Sequence, residues 1–303
     1  MAIVVAVALA ASLFYGASDF LGAFTARKLT VLKTSAVVYL SATIVATAAL
    51  MLTAWTYSDL ALLAGSVAGI FATVGMVTFY AALAIGPMSL LAPLIALIQT
   101  AIPVVVAAVT GQSLRPLAWV AVGIALLATT LISVPGKSAT GHLAGERITA
   151  RGAVLGLVAG ITLGLSTVSL DVAPDDSGVF PAFLDLAIGL ALLAPLLAVR
   201  RFRNSDAWLH GAPVETSPSP LAAPVGARIW ALSAAAGALL GIGNILLVIA
   251  LHAGNLAVVA VLVSLYPLAT VLLAWFVLKE RISRVQFLGV ALAITAAVML
   301  GSS

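Results

Sequence analysis

Between Ala2 and Ala26 the chain runs for 25 residues with one charged side chain, Asp19. Comparable apolar runs recur to its end, and ten can be delimited: 2–26, 34–54, 60–84, 88–110, 117–134, 152–170, 179–199, 229–251, 256–278 and 285–301. Each holds 17–25 residues, enough for a helix rising 1.5 Å per residue to cross about 30 Å of hydrocarbon. A bilayer offers no water to unpaired backbone groups, so only helices and closed barrels span it. Barrel strands alternate polar and apolar residues, and these runs do not. The predicted fold class is an all-α membrane protein with ten transmembrane helices. Only 8% of residues are charged and 63% are hydrophobic, against roughly 25% charged in soluble domains. That excludes a water-soluble globule. With no cysteine, disulfides, thiol chemistry and cysteine-based metal sites are excluded as well. The first run reads as a retained helix rather than a cleaved leader, because no Lys or Arg precedes it and its apolar stretch is too long.

The net charge of +4 does not point to nucleic acid, because the basic residues sit in loops beside helix ends. Loops after odd-numbered helices hold Arg27, Lys28 and Lys33, then Lys137, Arg147 and Arg151, then Arg200, Arg201, Arg203 and Arg228, and finally Lys279, Arg281 and Arg284. Loops after even-numbered helices hold only Arg115. The positive-inside rule makes the odd loops cytoplasmic and places both termini outside. The loop after helix six carries only acids, Asp171, Asp175 and Asp176. Residues 200–228, rich in Pro, Ser and Ala without helical period, are expected to form a mobile cytoplasmic tether.

The chain contains an internal echo. Helix three, "AGIFATVGMVTFYAALAIG" (68–86), and helix eight, "AGALLGIGNILLVIALHAG" (236–254), share residues at six of nineteen aligned positions, glycines among them. Helix six carries Gly152, Gly156, Gly160 and Gly164, and helix one carries Val4, Ala8, Ser12 and Gly16 at the same spacing. Small residues on every fourth position form a flat stripe that lets a neighbouring helix approach closely in lipid. The expected organisation is a first five-helix repeat (1–136), a cytoplasmic linker (137–151) and a second five-helix repeat (152–303). An odd number of helices per half inverts the second relative to the first. Inverted repeats are typical of secondary transporters, with the substrate near the midplane between them.

Several stretches resemble a known family. "YGASDFLGAF" in helix one, "GPMSLLAPLIAL" (86–97) and above all "VVAVLVSLYPLATVLLAWFVLKERISRVQFLGVALAI" (258–294) are similar to the EamA-like branch of the drug/metabolite transporter superfamily. Pro267, the Glu280–Arg281 pair, Gln286 and Gly289 resemble the signature of its second repeat. The first half departs from the pattern at Gln112, where the family often carries Glu. Family members are also commonly drawn with cytoplasmic termini, opposite to the loop charges here. The resemblance implies secondary transport of small metabolites, often export of amino acids or related compounds, without ATP. The chain agrees in lacking a GxxxxGK[ST] phosphate loop.

An acid near the middle of a spanning helix costs on the order of 3 kcal/mol to insert. Such residues usually face a bundle interior or a wet cavity and mark ion or proton paths. Asp19 is therefore the prime candidate for binding a proton or a substrate amine, the alternative being a structural acid held by Ser18 or a neighbouring helix. Asn244, mid-helix among Gly237, Gly241 and Gly243, is either a strut between helices or a substrate contact. Gln99, Ser264, Tyr266, Tyr15 and Tyr80 complete the candidate substrate or proton path. Pro103, Pro267, Gly16, Gly160 and Gly164 are candidates for helix bending and close packing. Asp185, following Phe180–Pro181, reads as a solvated or interfacial acid, and Glu280–Arg281 as a helix cap or ion pair. No His has a partner at metal-ligand spacing, so neither a metal nor a cofactor is expected.

An intramembrane aspartyl protease would need two facing acids, and Asp171 and Asp185 read as lying near helix ends, far from Asp19. A non-transporting scaffold or lipid-binding bundle would need no polar cavity. The expected function is proton-linked export of small metabolites by alternating access, by a multi-pass protein of the plasma membrane. Its partners would be a small-molecule substrate and the lipid bilayer, with no nucleic acid, and a homodimer is one permitted assembly. The cavity would be lined from helices one, three, four, six, eight and nine.

Overall fold

The computed structural model describes residues 2–26, 28–85, 88–112, 116–132, 149–201, 226–269 and 283–302. Among them the regular structure is entirely helical: α1 (Ala2–Ala26), α2 (Val31–Leu52), α3 (Asp59–Ile85), α4 (Met88–Val109), α5 (Pro116–Ile132), α6 (Ala150–Asp171), α7 (Phe180–Arg201), α8 (Ala227–Ala253), α9 (Leu256–Val263) and α10 (Arg284–Ser302), with one 3-10 turn at Asp175–Ser177. Most of the linker 137–151, residues 202–225 of the expected tether, and Glu280–Arg281 lie outside the described residues. Among the described residues six helices, α1, α2, α3, α6, α7 and α8, are long and apolar enough to cross a bilayer by length and composition.

Polar caps extend the helices past the apolar runs. The hydroxyls of Thr30 and Thr149 accept from the backbone N–H of Lys33 and Gly152 at 3.3 and 3.1 Å. The side-chain carbonyl of Asn255 accepts from the Ala257 amide at 2.9 Å. Each satisfies an amide the helix leaves free. Helix nine departs from its expected span. It turns at Ser264–Leu265 and resumes at Tyr266, because Pro267 has no N–H to offer the preceding turn.

Large apolar side chains lie both on the outer surface and in the interior. Leu40, Ile44, Ile70, Val105, Leu157 and Val298 are exposed, while small residues such as Ala8, Ala11, Ala42, Ala68, Ala121 and Ala236 are buried. Large side chains gain nothing by leaving lipid, whereas small ones let backbones approach and gain dispersion contact.

The helix pairs recur between the halves. α1 lies along α8 as α3 lies along α6, α2 packs on α8 as α3 packs on α7, and α5 pairs with α10. Glycine contacts repeat to the residue. Gly164 abuts the Gln99 carbonyl and the Ile102 Cβ, and Gly16 abuts the Tyr266 carbonyl and the Ala269 Cβ, three residues on in both cases. Gly69 meets the Asp185 carbonyl and the Ile188 Cβ, and Gly237 meets the Val38 carbonyl and the Ser41 Cβ. Gly75 faces Thr162 and Leu163, and Gly243 faces Phe14 and Tyr15.

At one end the α2–α3 loop is strapped across the α6–α7 turn. Trp55 stacks on Phe180 with ring centroids 4.8 Å apart, and the Thr56 amide and hydroxyl both donate to the Asp176 carbonyl, at 3.0 and 2.9 Å. Gly178 sits at φ 55° against the Ala54 carbonyl, a position that a side chain would strain and crowd. The Tyr57 hydroxyl donates to Asp59 (2.9 Å), and that bond raises the phenol above its ordinary pKa.

Candidate functional site

A cavity of about 710 Å³ of atom-free space, mouth included, opens where α1, α2, α3, α4, α6, α7, α8 and α9 converge, together with Tyr266 just past the α9 break. Two of these helices, α2 and α7, are not among those the sequence puts in its wall. They bring Tyr39 and Asp185 to it.

α1 contributes Tyr15 and Asp19, one helical turn apart and hence on one face. Asp19 is partly exposed to the cavity, and no hydrogen bond to its carboxylate occurs among the described residues. Its field reaches the hydroxyls of Tyr15, Tyr80 and Tyr266. α8 contributes Asn244, 3% exposed, which holds two helices at once. Its Oδ1 accepts from the Tyr15 hydroxyl at 3.3 Å, and its Nδ2 donates to Asp185 Oδ2 at 2.5 Å. A deprotonated carboxylate only accepts, so Asp185 orients the amide and the amide orients Tyr15. Asp185 Oδ1 has no partner among the described residues. Gln99 reaches the same cavity from α4.

The expectation for Asp185 is corrected. It is 4% exposed and lines the cavity with Asp19. The Phe180–Pro181 pair marks where α7 starts, but Asp185 lies further in, where α7 packs on Gly69 of α3 and meets Asn244 of α8. Its hydrogen-bond partner is Asn244 rather than Asp19. Among the described residues no hydrogen bond links the carboxyls of Asp19 and Asp185, as a dyad sharing one proton would require.

Three other candidates do not line the cavity. Ser18 is fully buried and donates to the Ala236 carbonyl at 2.8 Å, a strut between α1 and α8. Adjacent helical residues point about 100° apart, so Ser18 cannot share the face of Asp19. Ser264 donates back to the Val261 carbonyl at 2.7 Å and closes the end of α9. Tyr80 is buried with its hydroxyl against Gly22 and is not part of the cavity wall. Among the packing candidates, Gly16, Gly160 and Gly164 lie in tight helix contacts, and Pro103 and Pro267 are buried.

Gln112, the departure noted in the sequence, has a local explanation. Its Oε1 accepts from the Leu256 amide at 3.2 Å, capping α9, and its side chain lies beside the Asp171 carboxylate. An amide can accept at one end and donate towards a carboxylate at the other, whereas an ionised Glu can only accept. Gln112→Glu is expected to lower stability by about 1–3 kcal/mol, with the deficit shrinking as acid protonates one of the paired carboxyls. Melting of the purified protein at neutral and acidic pH measures both effects. Among the described residues no group of His, Cys, Asp or Glu could hold a metal.

Comparison with known proteins adds three findings. The model of the EamA-like transporter family matches residues 150–302. No curated protein matches the chain. A solved crystal structure, described only as that of a protein, superimposes with a TM-score of 0.70 at 17% identity, covering 99% of this chain and 96% of that one. That likeness is one of fold.

Proposed function

Because this chain belongs to the EamA-like transporter family, we propose that it is a proton-linked secondary transporter that exports amino acids or related small metabolites by alternating access. Membrane transport of small molecules, rather than enzyme chemistry, is what the family performs. The finer reading is carried by one observation: an acid without a protein partner among the described residues, Asp19, opens into a cavity walled by helices from both halves of the chain. A site of that kind suits a proton or a substrate amine in turn.

Ten spanning helices in two inverted repeats, 1–136 and 152–303, are part of the proposal. The recurring glycine contacts support it, since Gly16 and Gly164 occupy equivalent places on different helix pairs, and so does the matching order of helix pairs. The halves would rock about the cavity, with Gly-lined contacts as sliding surfaces and the break before Pro267 as a bend. The loop charges would make the odd-numbered loops cytoplasmic, and the plasma membrane would be the site of action.

The test is reconstitution of the full chain in liposomes carrying a pH-sensitive dye, challenged with a panel of amino acids and small amines. Substrate-dependent, protein-dependent proton movement is the expected result. A panel that moves no protons through the protein at any gradient would overturn the coupling.

A further inference from the structure

The two sides of the cavity differ in chemistry. Aligning 68–86 with 236–254 pairs Met76 with Asn244 and Phe79 with Leu247. Aligning Val4 with Gly152 pairs Tyr15 with Leu163 and Asp19 with Thr167. The Gly69 and Gly237 contacts pair Val38 with Asp185 and hence Tyr39 with Leu186. All of these except Val38 line the cavity. Thus α1, α2 and α8 present Tyr15, Asp19, Tyr39 and Asn244 beside Leu240 and Leu247, where α6, α7 and α3 present Leu163, Leu186 and Met76 beside Ser166 and Thr167. Asp185 joins the polar side by its bond to Asn244.

Three further features limit what fits. Among the described lining residues two are acids and none is Lys, Arg or His, so a ligand carboxylate would meet like charge with no cation to offset it. Like-charge contact of this kind acts as rejection. Four aromatic rings line the cavity, those of Tyr15, Tyr39, Phe79 and Tyr266. The hydroxyl of Tyr266 is buried with no hydrogen-bond partner among the described residues. Aromatic faces beside a carboxylate attract organic cations, alkylated ammonium above all. The Met76, Phe79, Leu163 and Leu186 side is then suited to an apolar body.

We infer that the cavity takes an organic ammonium with an apolar body and no free carboxylate, its cationic end beside Asp19 and the aromatic rings, its body against Met76, Leu163 and Leu186. This rests on the transporter reading above and narrows its substrate class from amino acids to amines that lack the acid group.

Four probes that share one phenyl ring separate the alternatives: benzyltrimethylammonium, phenethylamine, phenylalanine and 3-phenylpropionate. Binding to the full chain in liposomes is expected for the first two. Phenylalanine should bind at least roughly tenfold weaker and phenylpropionate weaker still. Asp19→Asn should weaken ammonium binding ten- to hundredfold. Leu163→Gln, on the apolar side, should weaken phenethylamine about tenfold, and melting curves establish that each variant is folded. Phenylalanine binding as tightly as phenethylamine would overturn the inference and leave the transporter reading standing. Failure of both ammonium probes to bind the folded wild type would overturn it too. The transporter reading falls on a different result, the absence of proton movement with every compound of the wider panel.

Discussion

Asp19→Asn is expected to abolish proton-linked transport while making the protein more stable. In the structure the carboxylate has no hydrogen-bond partner among the described residues, so the fold loses no contact when its charge is removed. Burying an uncompensated charge is costly, and a neutral isostere relieves that cost. Melting in detergent should therefore rise by a few degrees, corresponding to about 1 kcal/mol or more. The functional loss has the opposite sign. A charge-assisted contact with substrate contributes about 1.5–3 kcal/mol, so binding should fall ten- to hundredfold, and proton coupling should vanish with the titrating group. A variant that melts lower and still couples would assign Asp19 a structural role. Asp185→Asn is the informative comparison: Asp185 is tied to Asn244, and its replacement should disturb Tyr15 through the amide.

Substitution at the tight helix contacts should have the largest effect on folding. Gly16→Leu would place a side chain against the Tyr266 carbonyl, with its Cβ 2.6 Å from the Ala269 Cβ. Backbone cannot step aside as a side chain does, and even modest overpacking costs about 1–3 kcal/mol. The larger branched group should prevent α1 from docking and deplete the protein from membranes. Gly164→Leu, against the Gln99 carbonyl and the Ile102 Cβ at 2.8 Å, should behave alike. Gly123 is the control. It lies within α5, and a Cβ added there would meet nothing within 4 Å among the described residues. Gly123→Ala should therefore be neutral or stabilising by roughly 0.5–1 kcal/mol through helix propensity. Membrane abundance and melting temperature read out both. Equal tolerance of Gly16→Leu and Gly123→Ala would show that the close contacts carry no weight.

Parts of the site were legible in the chain. Asp19 stands out because it is the lone charge in a long apolar run, and Tyr15 follows because a four-residue spacing shares a face. The same periodicity argues against one of the candidates, since Ser18 neighbours Asp19 and points elsewhere. Ser264 is instead taken up by the turn that ends α9. Asp185 and Tyr39 were hidden for a different reason. Asp185 is near the start of its run, where an acid is ordinarily solvated. Only the packing of α7 on Gly69 of α3 and the bond to Asn244 of α8 place it in the interior. Tyr39 interrupts its run no more than an interfacial tyrosine would.

The division between the two sources of information follows from the range of the forces. Hydropathy and helical periodicity are local, so the chain alone determined that it is helical, that it is built for a bilayer, and where the small-residue stripes and the isolated acid fall. Which polar groups meet depends on which helix faces come together. Asn244 and Asp185 are 59 residues apart, and Tyr15 and Asn244 are 229 apart. Their meeting was decided by the packing of α1, α7 and α8: Gly243 lets α8 lie against Phe14 and Tyr15 of α1, and Asn244 beside it reaches Asp185 on α7.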